Sequence, residues 1–367
     1  MLRRAASGQI PDPCACPFRD SDIAPMSHSL TLDRPLRGAL RLPTLPLLTL
    51  LTLLSGGSLL LACSSGSIAL GAGELWLAAS GHGSQLADTL LSLRLERALT
   101  AWVTGGSLAL AGVLMQSLLR NPLADPYVMG VSGGASVGAL LALWLGLALW
   151  QVDSAAVAGA LTLSALLFLL ARRDFARSSG TVLLLLTGVL LSAACGALIS
   201  LLLTIAPDAQ LRGMVFWLVG DIAGTPLRPW PWLALLPAAL LAWWQAPAIN
   251  LLALHGDHAL TLGVPVAMLR RLLLILAAIL TASAVSQGGS IGFVGLMVPH
   301  ACRLLCGPDL RRLIPAAVLS GAALLVLADT LARTVVAPMQ LPVGVLTALL
   351  GVPVLFWQLQ RTRRRLA

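Results

Sequence analysis

The segment from Asn250 to Gly263 has the most unusual residue types for its place in this apolar chain. It reads NLLALHGDHALTLG, and it places two histidines and an aspartate beside glycines between two long apolar stretches. Glycine ends or bends helices, so we predict two short helices that are interrupted at Gly256 and Gly263. We interpret this polar segment as a docking surface that lies across one face of a membrane.

Arginine is the other residue type in this chain that could take part in binding or catalysis. All 24 basic residues are arginine, and the sequence contains no lysine. A P-loop needs a lysine on the nucleotide phosphates, which excludes a Walker A ATPase site in this chain. The arginines lie at the ends of apolar segments rather than on one face, which argues against a nucleic-acid partner.

Isolated polar residues within apolar segments have structural interpretations. His300 follows Pro299 in an apolar segment without ligand partners at metal spacing, so we expect a buried histidine that is hydrogen-bonded to backbone. Asp329 lies four residues before Arg333, and the two can pair across one helical turn. The G-x-S-x-G pattern at residues 130–134 would need a preceding strand to be a nucleophile elbow, and we reject it.

Composition predicts a polytopic, all-α membrane protein. The chain has 367 residues, of which 57% are hydrophobic and 11% charged, and its mean hydropathy is +0.89. Each spanning helix needs about 20 mostly apolar residues, and the apolar segments allow about ten spans. We predict a disordered cytoplasmic tail over residues 1–41, a transmembrane domain over 42–360 and a basic cytoplasmic tail over 361–367. Met26 is an alternative start.

The distribution of arginine predicts the orientation. With ten spans and both termini in the cytoplasm, only five arginines lie outside, whereas the remaining arginines lie inside, as the positive-inside rule requires. The five are Arg94, Arg97, Arg212, Arg228 and Arg333. This topology places the polar segment in the cytoplasm.

The turn after the second span, from Arg120 to Pro126, contains two prolines, which stiffen it and remove two backbone donors. Asn121 and Asp125 can cap the neighbouring helix ends. From the residues alone, a structural turn and a gate are equally good interpretations of this proline turn. Downstream, Gly134 and Gly138 have the G-x-x-x-G spacing that lets membrane helices approach closely.

Four ordered motifs give the chain a family resemblance over residues 70 to 360. They are Arg94–Arg97, with Glu96 in place of a usual proline; RNPLADP at 120–126 followed by GVSGGASVG; GFVGLMVPHACR at 292–303; and Asp329–Arg333 followed by LPVGV at 341–345. With these motifs the chain resembles the permease subunits of type II ATP-binding-cassette importers, which take up vitamin B12, ferric siderophores and haem.

The resemblance implies an architecture and partners. It implies ten helices per subunit, a homodimer with the pathway on its axis, two cytoplasmic ATPase subunits that use ATP and Mg²⁺, and a periplasmic substrate-binding protein. This chain would sit in the lipid of the bacterial inner membrane and bind no cofactor or metal itself. It would not be an enzyme.

The resemblance also implies roles for individual residues. The ATPase would dock on the loop between the sixth and seventh helices, here Gly256, Asp257, His258, Ala259, Leu262 and Gly263. The binding protein would dock through acidic residues on Arg94, Arg97 and Arg333. The cytoplasmic gate would include Asn121, Leu123 and, at the start of the fifth helix, Thr181.

Two other classes of function remain as alternatives. A membrane-embedded enzyme would need a catalytic constellation within the spans, where the sequence offers scattered hydroxyls and one histidine. A proton-coupled secondary transporter would be expected to show inverted repeats and acids near the midplane. Dependence of uptake on an ATPase separates the importer from both. The sequence leaves the cargo open between a siderophore, vitamin B12 and haem.

Overall fold

The structure is a computed structural model that describes residues 44–66, 68, 71–172, 180–337 and 339–366. These residues form thirteen α-helices and, within the described ranges, no strand. The helices are α1 (Thr44–Ser64), α2 (Ala72–Ala79), α3 (Gln85–Leu119), α4 (Val131–Trp144), α5 (Leu149–Ala171), α6 (Gly180–Ile205), α7 (Asp208–Val219), α8 (Trp230–Trp244), α9 (Ala246–His255), α10 (Val266–Gly288), α11 (Val294–Cys306), α12 (Leu310–Thr334) and α13 (Val343–Leu366). The predicted tail over residues 1–41 and the alternative start at Met26 lie outside the described residues.

The helices fit the ten predicted spans. Six described helices are long and apolar enough to cross a membrane by length and composition, and the count is seven if α8 and α9, which are bent by 66° relative to each other, make one span. Three shorter apolar segments, in α4, α11 and α13, bring the apolar segments to ten. The all-α polytopic prediction is confirmed.

Helix α3 lies at the centre of the subunit. It contacts α1, α10, α11 and α12, and its side chains are buried almost without interruption from Ala98 to Leu119. It is also the least apolar of the six long helices, whereas α6 is the most apolar and the least buried. Lipid is as apolar as a leucine side chain, so membrane helices associate through close packing rather than through greater hydrophobicity.

Close packing of small residues holds α4 against α5. A Cβ atom added at Gly134 would lie 2.5 Å from the Gly159 carbonyl oxygen, and one at Gly138 would lie 2.1 Å from the Ala155 carbonyl oxygen. No side chain fits at either position without moving the helices apart. The close approach predicted from the G-x-x-x-G spacing is confirmed.

Two helices begin earlier than the sequence suggested. The apolar stretches of the second and seventh predicted spans follow Arg97 and Arg271, but α3 begins at Gln85 and α10 at Val266. The Ser84 hydroxyl caps α3 by accepting a hydrogen bond from the Ala87 N–H at 3.2 Å. The first turns of α3 therefore precede the apolar stretch, and Arg94 and Arg97 lie within the helix rather than before it.

Helices α4 and α11 are too short to cross a membrane alone. With 14 and 13 residues they are about 20 Å long, whereas the hydrocarbon core is about 30 Å thick. For either helix to belong to a span, the chain before it would have to complete the crossing, and the backbone groups of that chain would need partners within the protein. The Tyr127 hydroxyl supplies one by donating to the Ile291 carbonyl at 2.9 Å, which joins the two preceding segments.

Candidate functional site

Two sites lie at opposite ends of α3 and α12. Arg97 is near the start of α3, and Arg120 follows its last residue, so about 35 Å of helix separates them. That length matches the thickness of a membrane core, which is about 30 Å. Along α3, the two sites are therefore about one membrane thickness apart.

The first site is a cluster of three arginines, two of which pair with one buried carboxylate. The Arg97 Nε and Nη2 groups both donate to the Asp329 carboxylate, at 3.0 and 2.8 Å, and Nη1 donates to Gln340 Oε1 at 2.8 Å. Asp329 is only 2% exposed. We call Arg94, Arg97, Arg333 and Asp329 the arginine cluster.

Asp329 and Arg333 do pair as the sequence suggested, but this is the weaker contact. The Arg333 Nε atom lies 3.8 Å from Asp329 Oδ2, which is an ion pair without a hydrogen bond. The stronger partner of Asp329 is Arg97, 232 positions away in sequence. The spacing of residues along α12 identifies neighbours within that helix, but it cannot identify a partner on α3.

The other two arginines bind the end of α1. The Arg94 guanidinium donates to the carbonyls of Cys63 at 3.0 Å and of Ile68 at 2.5 Å. Arg333 donates to the Ala62 carbonyl. Both arginines are 6% exposed.

A cavity of about 400 Å³ opens beside the arginine cluster. All three arginines line it, together with Glu96 and residues of the segments that follow α1 and α7. Arg97 Nη2 also lies 3.9 Å from Asp221. With three guanidiniums around its wall, the cavity can accept a carboxylate from outside the chain.

The second site is the polar segment. Helix α9 ends at His255, a 3₁₀ helix follows over Gly256–Leu260, and α10 begins at Val266. Gly256 and Gly263 have φ angles of +58° and +81°, a backbone conformation that glycine adopts without strain. The predicted interruptions at both glycines are confirmed, although the second helix is only a short 3₁₀ turn.

The polar segment presents apolar and polar side chains to its surroundings. Leu254, Leu260 and Leu262 are each more than half exposed, and His258 is exposed as well, whereas Ala259 is fully buried. Asp257 lies within the 3₁₀ helix. Exposed leucines beside polar groups are compatible with a protein–protein docking site.

The polar segment packs directly on the proline turn. The Arg120 guanidinium lies over Gly256, where an added Cβ atom would be 2.2 Å from Nη1. Arg120 itself has a φ of +51° and ends α3, immediately before Asn121. A displacement at Gly256 therefore reaches the residue that begins the turn.

A second contact joins the polar segment to α12. The Asn250 side chain donates to Asp309 Oδ1 at 2.8 Å and accepts from the Leu310 N–H at 3.0 Å. Asp309 is the N-cap of α12 and accepts from the Arg311 N–H. Sequence reasoning missed this contact, and the asparagine within an apolar stretch was the only signal for it.

The proline turn is held by its own side chains. Asn121 Oδ1 accepts from the Leu123 N–H at 2.9 Å, and Asp125 Oδ1 accepts from the Tyr127 N–H at 2.8 Å. Asp125 thus caps the 3₁₀ helix Pro126–Met129, as expected, whereas Asn121 folds the turn itself. Leu123 is 45% exposed. Thr181, the remaining gate candidate, lies in the first turn of α6.

The described part of the chain forms neither a metal site nor a nucleophile elbow. No three His, Cys, Asp or Glu side chains there are arranged to hold a metal ion. His300 is half-buried, and its Nδ1 atom is buried without a hydrogen-bond partner, so the expected backbone bond is not made there. The G-x-S-x-G pattern enters α4 from a 3₁₀ helix rather than a strand.

Comparison with known proteins gives a consistent result. Residues 50–361 match the model of the FecCD transport family. The chain is 40% identical to the hemin transport system permease protein HmuU of Yersinia pestis over 330 residues, which cover 87% of this chain and 95% of that protein. It is 38% identical to the vitamin B12 import system permease protein BtuC of Citrobacter koseri, over 81% of this chain and 91% of that protein.

A solved structure agrees with the sequence comparisons. A metal-chelate type ABC transporter in an inward-facing conformation superposes with a TM-score of 0.77 and 31% identity, over 86% of this chain and 99% of that one. These comparisons lend no support to a proton-coupled secondary transporter. The chain belongs to the FecCD transport family of ABC importer permeases.

Proposed function

We propose that this chain is the membrane-spanning subunit of an ATP-driven importer that carries a large chelate across the bacterial inner membrane. The contact between Gly256 and Arg120 is the observation that carries this proposal. It connects a surface that is exposed to a partner directly with a turn at the end of the central helix.

At the polar-segment face, the partner is a pair of ABC ATPase subunits. The exposed leucines and His258 form the docking surface, and ATP with Mg²⁺ is bound and used by the ATPases alone. Closure of the ATPases on nucleotide displaces the polar segment, and the displacement reaches the gate residues Asn121 and Leu123 through Arg120. Thr181 completes the gate, and both chain termini lie at this face.

At the arginine-cluster face, the partner is a periplasmic substrate-binding protein. Its acidic side chains meet the positive cavity, where charge complementarity sets the register of docking and speeds association. Two copies of the chain form the pathway on their common axis. A homodimer gives each ATPase and each lobe of the binding protein an equivalent site.

The cargo that we propose is haem or vitamin B12, with a ferric siderophore as the third candidate. The two named relatives are described as hemin and vitamin B12 permeases and cover most of this chain. All three cargoes are bulky chelates or corrinoids. A pathway for them needs width and small side chains rather than specific ligands.

The first test is copurification. The tagged chain is extracted from native membranes in mild detergent, and its partners are identified by mass spectrometry. A stoichiometric ATPase and a dimer of this chain are expected. A dimer that retains no ATPase in several detergents would contradict the proposal.

The second test assigns the cargo. The purified complex and its binding protein are reconstituted in proteoliposomes, and ATP-dependent uptake of haem, cyanocobalamin and a ferric siderophore is compared. Uptake of one of them is expected to continue when an uncoupler removes the proton gradient. Uptake that needs the gradient and ignores ATP would contradict an ABC importer.

A further inference from the structure

A second cavity of about 400 Å³ lies between the polar segment and the ends of α3 and α11. Arg120 and Arg303 line it, together with Asn121, Asn250 and Asp309. We propose that this second cavity binds a phosphate group, and that the headgroup of an anionic phospholipid supplies it. The binding of phosphate rests on the residues of the cavity and not on the proposed function.

Arg303 is held in place by a neutral neighbour. Its Nη1 group donates to Gln116 Oε1 at 2.9 Å. Gln116 is 3% exposed and donates from Nε2 to the Leu296 carbonyl at 3.2 Å, which fixes its amide oxygen toward Arg303. Among the described residues, no carboxylate lies within ion-pair distance of Arg303. A partly buried guanidinium with further free donors favours an anion beside it.

Arg120 brings a second positive charge to the same cavity. Its guanidinium lies over Gly256, and it makes no ion pair with a described residue. The planar fork of an arginine matches two oxygens of a phosphate, and such charge-assisted pairs are the stronger hydrogen bonds of proteins. Arg120 and Arg303 therefore provide two such forks on one cavity wall.

Asp309 is the only carboxylate among the residues that line the second cavity. Its Oδ1 atom accepts from the Asn250 side chain at 2.8 Å and from the Arg311 N–H at 3.0 Å. This oxygen is thus occupied in capping α12 and in holding the polar segment. Two arginines and one aspartate leave the wall with one net positive charge.

The surface around the second cavity is suited to the level of the lipid headgroups. Trp243 and Trp244 end α8 and are 50% and 72% exposed. The Trp243 indole N–H donates to the Arg311 carbonyl at 3.1 Å, and Leu310, the residue before Arg311, lines the cavity. Tryptophan is enriched at the membrane–water interface, where its ring meets lipid and its N–H meets polar groups. Leu254, which also lines the cavity and is 66% exposed, adds apolar surface for an acyl chain.

An anionic phospholipid fits this combination of charge and apolar surface. Basic cavities between membrane helices on the cytoplasmic side bind anionic headgroups, and the cytoplasmic leaflet carries anionic lipids. The phosphate would accept hydrogen bonds from Arg120 and Arg303 together, so that it links the end of α3 to α11. An acidic side chain of a protein partner has the same charge but no acyl chain, so the apolar rim favours a lipid.

The site is tested by the thermal unfolding midpoint of the purified full chain in mild detergent, followed by tryptophan fluorescence. Phosphatidylglycerol, phosphatidylcholine with the same acyl chains, and inorganic phosphate at constant ionic strength are added separately. We expect phosphatidylglycerol at about 100 times its Kd to raise the midpoint by about 5 °C, because it binds the folded chain alone. Phosphatidylcholine should have little effect.

Variants assign the response to the second cavity. Arg303→Gln should weaken phosphatidylglycerol binding about tenfold, the usual cost of a hydrogen bond to a charged group, as measured by native mass spectrometry. Arg312→Gln is the matched control, because Arg312 is exposed near the start of α12 and lies outside the cavity lining. It should bind phosphatidylglycerol as the parent does.

Two further variants keep the test decisive if Arg303→Gln folds poorly. Arg120→Gln changes an exposed side chain, and Ala253→Phe fills the cavity from α9 without changing a charge. Both should weaken phosphatidylglycerol binding about tenfold or more.

Four outcomes would count against the inference. Parental affinity in the three cavity variants, or an equal loss in Arg312→Gln, would overturn the site. A midpoint raised by inorganic phosphate through Arg303, without a response to phosphatidylglycerol, would support the phosphate site and overturn the lipid as its source. A lipid response that disappears when a copurified ATPase is bound would assign the second cavity to that partner and overturn the inference.

Discussion

At the scale of single residues, Asp329 is the one buried carboxylate in the arginine cluster. It is 2% exposed, accepts two Arg97 donors and lies 3.8 Å from Arg333. A buried ion pair adds little net stability over an apolar pair, but removal of one partner leaves an uncompensated charge. The main effect of removing this carboxylate would therefore be the uncompensated charge that it leaves on its arginine partner.

Asp329→Asn should destabilise the subunit by about 3–5 kcal/mol, the cost of breaking a buried pair from one side. The measurement is the thermal unfolding midpoint of the purified protein in detergent, followed by tryptophan fluorescence. Asp153→Asn is the control, because its ion pair with Arg228 is about 20% exposed on both sides and should contribute about 1 kcal/mol or less. Adding Arg97→Gln to Asp329→Asn should restore part of the loss. Equal midpoints for the two single variants would contradict the argument.

Asn121 is a second residue whose role depends on one hydrogen bond. Its side chain accepts from the Leu123 N–H at 2.9 Å and folds the proline turn. Asn121→Ala should loosen the turn, so that proteoliposomes loaded with cargo leak faster in the absence of ATP. Asn121→Asp keeps the accepting oxygen and should keep the parental leak rate. If alanine and aspartate behave alike, the hydrogen bond is not what holds the gate.

At the scale of secondary-structure elements, the polar segment contains two glycines that allow a controlled comparison of alanine substitutions. Gly256 and Gly263 both have positive φ angles, but an added Cβ meets Arg120 at Gly256 and nothing within 4 Å at Gly263. Both Gly256→Ala and Gly263→Ala therefore place alanine at a positive φ angle, but only Gly256→Ala adds a clash with Arg120.

Gly256→Ala should lower cargo transported per ATP hydrolysed several-fold more than Gly263→Ala does, because only the first disturbs Arg120. The ratio of uptake to phosphate release in proteoliposomes measures this coupling. His258→Trp, at an exposed position, should instead reduce the amount of ATPase that copurifies. Equal coupling ratios in the two alanine variants would show that Arg120 does not transmit the displacement.

The elements also show what a sequence can predict. The all-α polytopic fold and the interruptions at Gly256 and Gly263 were predictable, because apolar length and glycine position are local properties. The Asn250–Asp309 contact and the Arg97–Asp329 pair were not, because they join residues that are 59 and 232 positions apart. The start of α3 at Gln85 does not follow from the apolar stretch, because Arg94 and Arg97 precede that stretch, whereas their partners within the protein let the helix include them.

At the scale of the whole molecule, the placement of two sites at the ends of α3 and α12 predicts an orientation. His82 and His258 are both exposed, His82 shortly before α3 and His258 in the polar segment. In an otherwise cysteine-free chain without its ATPase, His82→Cys should react with an impermeant maleimide in intact spheroplasts. His258→Cys should react only in inverted vesicles. The opposite pattern would reverse the proposed topology.

The central position of α3 has a consequence for how the protein is made. It is the second long helix to leave the ribosome, yet α10, α11 and α12, which enclose it, are among the last. During synthesis it must wait in lipid with its glycines, serines and threonines uncovered, although it is the least apolar of the long helices. The subunit therefore cannot mature stepwise from its N-terminus. Truncated chains that end before α10 would leave the future core facing the bilayer, where membrane quality-control proteases can recognise it.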